Sequence, residues 1–466
     1  MQHMQKPQTP VIGGNFADPS IIRVGRDYYM THSSYKLTPG LLIWHSRDLQ
    51  QWKPVSAALT AYIGDVWAPD FAEHNGQFYI YFPAGGTNWV VSAPSPLGPW
   101  SQPVDLGIKG IDPGHITSPD GKRYLHMSGG LFTELADDGL SVIGEPRHVY
   151  DGWRYPEDWV VEAYSLEGPK LTFHNGYYYL TVAVGGTAGP PTSHMAVSSR
   201  SRTPWGPWEH SPYNPIVHTE SADEQWWSKG HGSLIETAEG EWLIVYHAYL
   251  NGYHTLGRQT LMEPIEWTED GWFCISEREV QLPSQPESFN DSFEDSLLAL
   301  YWQCEGHEPS VRFRPEAGKL TADVASEQGT ASPLLFMPWH ERYEAEVEID
   351  TADAAEGRLM LYYNDSAFFG MGVSAAGVRH FRSFKRYGTV PSTSGKAFIR
   401  IRNDKHTVSF YYSFGGHLWQ KYDKVIEASG FHHNTFGGFL SLRIALDAVG
   451  EGQVAFRNFK YKSLED

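Results

Sequence analysis

A chain of 466 residues is too long for one ordinary core and predicts two domains. Its 36 Lys and Arg against 55 Asp and Glu leave a net charge of −19, which argues against nucleic acid and anionic membrane surfaces as partners and favours a neutral or cationic ligand. No window approaches the ~18 apolar residues of a membrane span, the two cysteines, Cys274 and Cys304, make no disulfide framework, and the polar segment Met1 to Pro10 lacks the apolar core of a secretion signal.

From residue 11 the chain repeats one pattern five times: a polar residue, a Pro or Gly, an apolar run, a short turn and an aromatic strand. The first unit holds Ala17-Asp18-Pro19-Ser20 and then Asp27-Tyr28-Tyr29, the second Trp67-Ala68-Pro69-Asp70 and then Phe78-Tyr79. The third has Ile111-Asp112-Pro113 and Tyr124, the fourth Glu167-Gly168-Pro169 and Tyr177-Tyr178-Tyr179, the fifth Gly230-His231-Gly232 and Trp242. A second element recurs behind them: Ser95-Pro96-Leu97-Gly98-Pro99-Trp100 and Thr203-Pro204-Trp205-Gly206-Pro207-Trp208, with Ser46 to Trp52 as a looser copy. Each copy sets a Trp where an outermost strand should begin. Short β-branched and aromatic runs dominate and no long stretch has a period of 3.6, so the class is all-β. Five four-stranded units make a five-bladed β-propeller over residues 11–281, with a sandwich of accidental similarity as the competing fold. Residues 282–289 read as a linker. Alternating strands such as Tyr343 to Ile349 and Ala397 to Arg402 then predict a β-sandwich accessory domain over 290–466.

In a propeller the innermost strands line the central channel. Asp18, Asp70, Asp112, Glu167 and His231, at the starts of their units, should therefore meet at one mouth. Crowded carboxylates cannot all stay ionised freely. One pKa rises until that group can act as an acid near neutrality, while a neighbour stays charged as a base. That pairing is what glycoside hydrolysis requires.

The ordered motifs Ala17-Asp18-Pro19, Trp67-Ala68-Pro69, Ile111-Asp112-Pro113, Glu167-Gly168-Pro169 and Gly230-His231-Gly232 resemble glycoside hydrolase family 43 over about residues 11–280. The resemblance implies an inverting five-bladed enzyme acting on xylan, arabinoxylan or arabinan. It implies Asp18 as the general base, Asp112 as the aspartate that tunes and orients the acid, and Glu167 as the general acid. Gly114-His115-Ile116 and Ser118-Pro119-Asp120-Gly121 depart from the Phe and Asp-rich turn common in the family, which bears on the neighbouring subsite. Plainer readings stand beside these: an Asp-Pro that only starts a turn, Glu162 as the acid in place of Glu167, and Asp70 as a structural or substrate-orienting group.

His231 is either a hydrogen-bonded structural residue or, as the resemblance implies, a minor ligand of one calcium ion on the propeller axis; no organic cofactor is expected. By the same resemblance Arg258 reaches the sugar. The 17 Trp, 26 Tyr and 23 Phe suit both core packing and sugar platforms, and Phe16, Trp67, Trp89, Tyr164 and Trp227 are candidates for the substrate pocket. The region from about 290 resembles the concanavalin-like sandwich of exo-acting members, through Phe289 to Phe293 and Tyr362 to Gly370. It is expected to close the pocket, to anchor carbohydrate, or only to stabilise. The reading is thus an exo-acting glycosidase releasing xylose or arabinose from pentose-containing oligo- or polysaccharides, with no nucleic acid or membrane partner and with the oligomeric state left open. A galactan-directed hydrolase or arabinanase is the alternative within the family, and a non-catalytic propeller lectin the alternative of another class. The missing leader points to a cytoplasmic protein, or to a secreted one whose leader has been removed.

Overall fold

Five four-stranded antiparallel sheets follow one another along the chain, and each is a propeller blade. The innermost strands are Ser20–Val24, Asp70–His74, Gly114–Thr117, Leu166–His174 and Trp226–Glu236. The computed structural model describes residues 8–278, 283–324, 332–352, 354–392 and 394–464. The first seven residues of the polar N-terminal segment, the end of the expected propeller at 281 and the start of the expected linker at 282 lie outside the described residues.

The blades form for local reasons. Asn75-Gly76 and Asn175-Gly176 both take positive φ (52° and 76°, 47° and 77°), which is the geometry of a tight hairpin between the first two strands of blades two and four. Trp52 and Trp208 stand directly before the outermost strands Lys53–Leu59 and Glu209–His210, and Trp100 four residues before Val104–Asp105. The ring is closed by the chain's beginning. Val11 N–H donates to Thr260 O at 2.7 Å and Thr260 N–H to Ile12 O at 3.2 Å, so blade five takes up the N-terminal segment.

Two eight-stranded antiparallel sheets make the second body. They enclose a core of wholly buried side chains such as Trp302, Phe336, Leu361, Ile401 and Phe459. One of these sheets borrows a strand from the propeller: Leu37–Thr38 of blade one pairs with Trp302–Glu305 in the register Thr38↔Cys304 and Leu37↔Glu305. Lys36 Nζ meets Glu305 Oε2 at 2.8 Å beside it. Main-chain hydrogen bonds therefore join the two bodies next to the mouth of the propeller.

One of the five polar residues differs from expectation. His231 stands in the middle of its strand, because two register shifts between Trp227 and Ser233 bulge that strand toward the axis. A bulge re-aims a side chain in this way.

Candidate active site

The axis is filled in two layers. In the lower one Asp70 ties four blades together. Its Oδ1 accepts from Ser20 Oγ (3.2 Å, blade one) and from Lys170 Nζ (2.8 Å, blade four), and its Oδ2 accepts from His115 N–H (2.7 Å, blade three). Lys170 also donates to the Pro69 carbonyl at 2.6 Å. Both charges are buried, so Asp70 acts as a structural post. The approach of blades three and four at this level requires Gly114, where a Cβ would lie 1.9 Å from the Pro169 carbonyl oxygen.

The upper layer gathers Asp18, Asp112, Glu167 and His231. Asp18 and Asp112, each preceding a proline, and His231 all have left-handed backbone, with φ of 60°, 53° and 56°. Such strain in non-glycine residues collects at functional sites. Asp18 is held from all sides. Ser33 Oγ donates to Oδ2 at 2.5 Å. Around Oδ1 stand His247 Nδ1 (3.0 Å), Arg258 (3.4 Å) and His231 Nδ1 (3.4 Å). Burial alone would raise its pKa, but the charges of Arg258 and His231 and the contact with His247 outweigh that and hold the carboxyl well below the usual range. His247 Nδ1 also lies 3.1 Å from the Asp18 backbone N–H. A neutral ring serves only one of these two contacts, since its single proton decides whether Nδ1 donates or accepts.

His231 is the hub. Its ring stands between Asp18 and Glu167, with Nε2 3.7 Å from Glu167 Oε1. Burial works against its proton, yet Asp18, Glu167 and Asp112 around it raise the pKa to about 9. Asp112 accepts from Ser128 Oγ (3.0 Å) and from the Gly168 N–H (3.1 Å). Burial pushes its pKa up to about 6, with Glu167 and Asp18 adding to the rise. Glu167 shifts the other way: burial would raise it, but its contact with the His231 cation lowers it. Asp112 and Glu167 act on one another, so the proton near pH 6 belongs to the pair. Of the three carboxylates Glu167 is the most open, its side chain 22% exposed against 4% for Asp18.

Glu162, the rival acid, is exposed on the preceding loop, its side chain packed at Gly186 and Gly189 rather than in the axial cluster. Arg258 donates to Asp18 and, at 2.5 Å, to the Tyr35 hydroxyl, so it braces the Asp18 carboxylate. Phe16 lies beside them, edge-on to Trp44 and His32. Trp67 packs edge-on against Tyr35 and against Phe439, a sandwich residue that also lies 4.8 Å beneath the Arg258 guanidinium. Three aromatic candidates stand apart from this group. Trp89 packs in the core between blades one and two, its Nε1–H donating to the Ala84 carbonyl. Tyr164 donates to the Asp151 carbonyl under Arg154. Trp227 donates to the Ala222 carbonyl and meets His254.

Sequence reasoning missed His247, His194, Ser33, Tyr35 and Phe439. His247 had a visible signal, a lone histidine inside the apolar strand Trp242–Leu250. Phe439 had none, being more than 400 residues from Asp18 in the chain.

The residues also bear on calcium. The one group of three potential ligands among the described residues is Glu167, His194 and His231. Calcium takes six to eight oxygens, whereas this set offers two imidazole nitrogens and one carboxylate. These side chains alone do not supply calcium's oxygen shell, so an axial calcium with His231 as a minor ligand would take most of its ligands from water.

Comparison with known proteins agrees with this architecture. The sequence profile of glycosyl hydrolases family 43 matches residues 7–273. The chain is 32% identical to the xylan 1,3-beta-xylosidase of a Vibrio species, over 63% of this chain and 64% of that protein. It is 33% identical to the non-reducing end alpha-L-arabinofuranosidase BoGH43B of Bacteroides ovatus, over 63% of this chain and 60% of that protein. The chain thus spans under two thirds of the length of both. Its fold superposes on the crystal structure of the family 43 protein BlXynB from Bacillus licheniformis with a TM-score of 0.88 at 28% identity, covering 98% of this chain and 99% of that one.

Proposed function

This chain belongs to glycosyl hydrolases family 43, and from that premise we propose that it releases single xylose or arabinose units from the ends of pentose-containing oligo- or polysaccharides with inversion at the anomeric carbon. The observation that carries the reading is the ring of His231 standing between Asp18 and Glu167, 3.4 Å from the one and 3.7 Å from the other. Carboxylates that flank an imidazole suit the ~6.5–9.5 Å class of separation, which holds a water, better than the ~5–5.5 Å class of retaining enzymes.

The roles follow from the surroundings. Asp18, held charged by Arg258, His231 and His247, takes a proton from the attacking water while Ser33 and Arg258 fix its orientation. Glu167, the most open carboxyl, delivers a proton to the departing oxygen. Asp112, its own pKa raised to about 6 by burial, shares that proton with Glu167 and fixes the backbone beside Glu167 by accepting from the Gly168 N–H. The positive His231 stands between the two working carboxylates, attracting both and screening their repulsion. Trp67 and Phe439, one from each body, pack edge-on beside Arg258, an arrangement that suits a closed pocket and attack at chain ends.

Asp112→Asn is expected to move the alkaline limb of kcat/KM to lower pH. That limb reflects loss of the pair's proton, near pH 6 with Asp112 present, and removing a negative neighbour makes the remaining proton easier to lose. A limb that stays in place means that Asp112 does not tune the acid. The substrate reading is tested by timed digestion of xylobiose, longer xylo-oligosaccharides and α-1,5-arabino-oligosaccharides, with the products separated by size. Single pentoses from the earliest times are expected. Early release of mixed oligomers contradicts end attack, and no release from any of these points to a galactan or to a glycan-binding protein.

A further inference from the structure

One buried cation stands apart from the axial cluster and lacks a carboxylate partner. Arg443 opens the sandwich strand Arg443–Val449 and is 4% exposed. Among the described residues its guanidinium makes no ion pair, and its one side-chain hydrogen bond is long, from Nη1 to Gln303 Oε1 at 3.4 Å. The neighbouring cations are already matched, Lys36 by Glu305 at 2.8 Å and Arg258 by Asp18 at 3.4 Å. Burial draws the pKa of Arg443 down to about 10 against the field of Glu305. A small cavity lies against it where the two bodies meet. Asn15, His32, Ser33 and Ser34 line it from the propeller, Arg443 and Gln303 from the sandwich. Ser34 Oγ is buried among them without a hydrogen-bond partner. Ser33, on the same wall, is the residue whose hydroxyl holds Asp18. The free volume is about 10 Å³, room for one water-sized occupant and far too little for a sugar ring.

Two needs compete for that occupant. The Thr260 hydroxyl gives its proton to the Phe16 carbonyl at 2.7 Å and so accepts from His32 Nε2 at 3.0 Å, which leaves His32 Nδ1 a bare acceptor that suits a water. Arg443 and the Ser34 hydroxyl are donors, and Arg443 also carries a charge. A buried charge without a partner costs more than a bare neutral nitrogen, so the cation decides. We infer that Arg443 and Ser34 form a site for a small monovalent anion of the chloride class, which fastens the sandwich to the propeller beside the segment that holds Asp18. Ser34 lies just ahead of the borrowed strand Leu37–Thr38, and Gln303 lies in the strand that pairs with it, so the anion reinforces a junction that the main chain has already made. Sulfate and phosphate are too large for the cavity.

The test is the thermal transition of the full chain, freed of halide and titrated with chloride or bromide at fixed ionic strength, the balance made up with gluconate. Screening is then constant, and only an anion that binds the folded chain raises the transition. A rise with chloride and with bromide is expected. Crystals grown in bromide should show one anomalous peak between the Arg443 guanidinium and Ser34 Oγ. Arg443→Met keeps the length of the side chain and removes the charge. It should melt at least as high as the parent in gluconate and gain nothing from chloride. Should that variant not fold, Ser34→Ala carries the test, with chloride affinity, read from ³⁵Cl line broadening, falling about fivefold for one lost hydrogen bond. A transition indifferent to both halides overturns the assignment. So does a chloride effect that survives in Arg443→Met or is undiminished in Ser34→Ala, or a bromide-grown crystal that holds only water at Arg443.

Discussion

Glu167→Gln is expected to lower kcat on xylobiose by about 10²–10⁴-fold, the usual contribution of a positioned proton donor. The loss should shrink sharply with a dinitrophenyl glycoside, whose leaving group departs without a proton. Asp18→Asn should lose as much with either leaving group, because the attacking water needs its base in both cases. Added azide, a nucleophile that needs no base, should restore turnover to Asp18→Asn and not to Glu167→Gln. This contrast separates the two roles, since both variants are near-isosteric and remove one charge beside His231. Equal losses on both substrates for Glu167→Gln would take the acid role from it. Azide rescue of that variant would assign it the base role instead.

The largest stability effect belongs to the lower axial layer. Lys170→Met leaves the Asp70 carboxylate buried without its cation, while the Ser20 and His115 donors remain. Removing one partner of a buried pair costs about 3–5 kcal/mol, because the other charge is stranded in a poor solvent. For a body of this size that corresponds to roughly 10 °C in the propeller's thermal transition. Combining Lys170→Met with Asp70→Asn removes the stranded charge and should recover part of the loss, a coupling that independent sites do not show. A single variant that melts like the parent but binds substrate poorly would reassign the pair from holding the blades to orienting the sugar.

How the site was legible in the chain follows from which forces wrote it. The blades are local objects, so their hairpin turns, aromatic strands and recurring Pro-Trp segments carry the propeller in short stretches. Asp18, Asp112 and Glu167 were findable for the same reason: symmetry puts equivalent positions on one axis, and a polar residue ahead of a Pro or Gly opens each repeat. His231 fell at its expected place on the axis but not in its strand, because the bulge that carries it depends on pairing with blade five's second strand. Trp89, Tyr164 and Trp227 show the limit. An aromatic side chain in a core and one on a sugar wall look alike until the neighbours are known. Phe439 and the borrowed strand Leu37–Thr38 were hidden, since contacts between two bodies leave no period in either. The stack of His194, His231 and His247 was hidden too: a loop end of blade four and two strands of blade five must be in place before those rings stack.

The most direct measurement is a proton NMR time course on xylobiose and an aryl α-L-arabinofuranoside, following the anomeric signal of the sugar as it is released. The account predicts that the first sugar appears with the opposite configuration to the bond that was cut and only then equilibrates. A first product with the same configuration would contradict it, and would make one of the axial carboxylates a nucleophile that holds the sugar covalently.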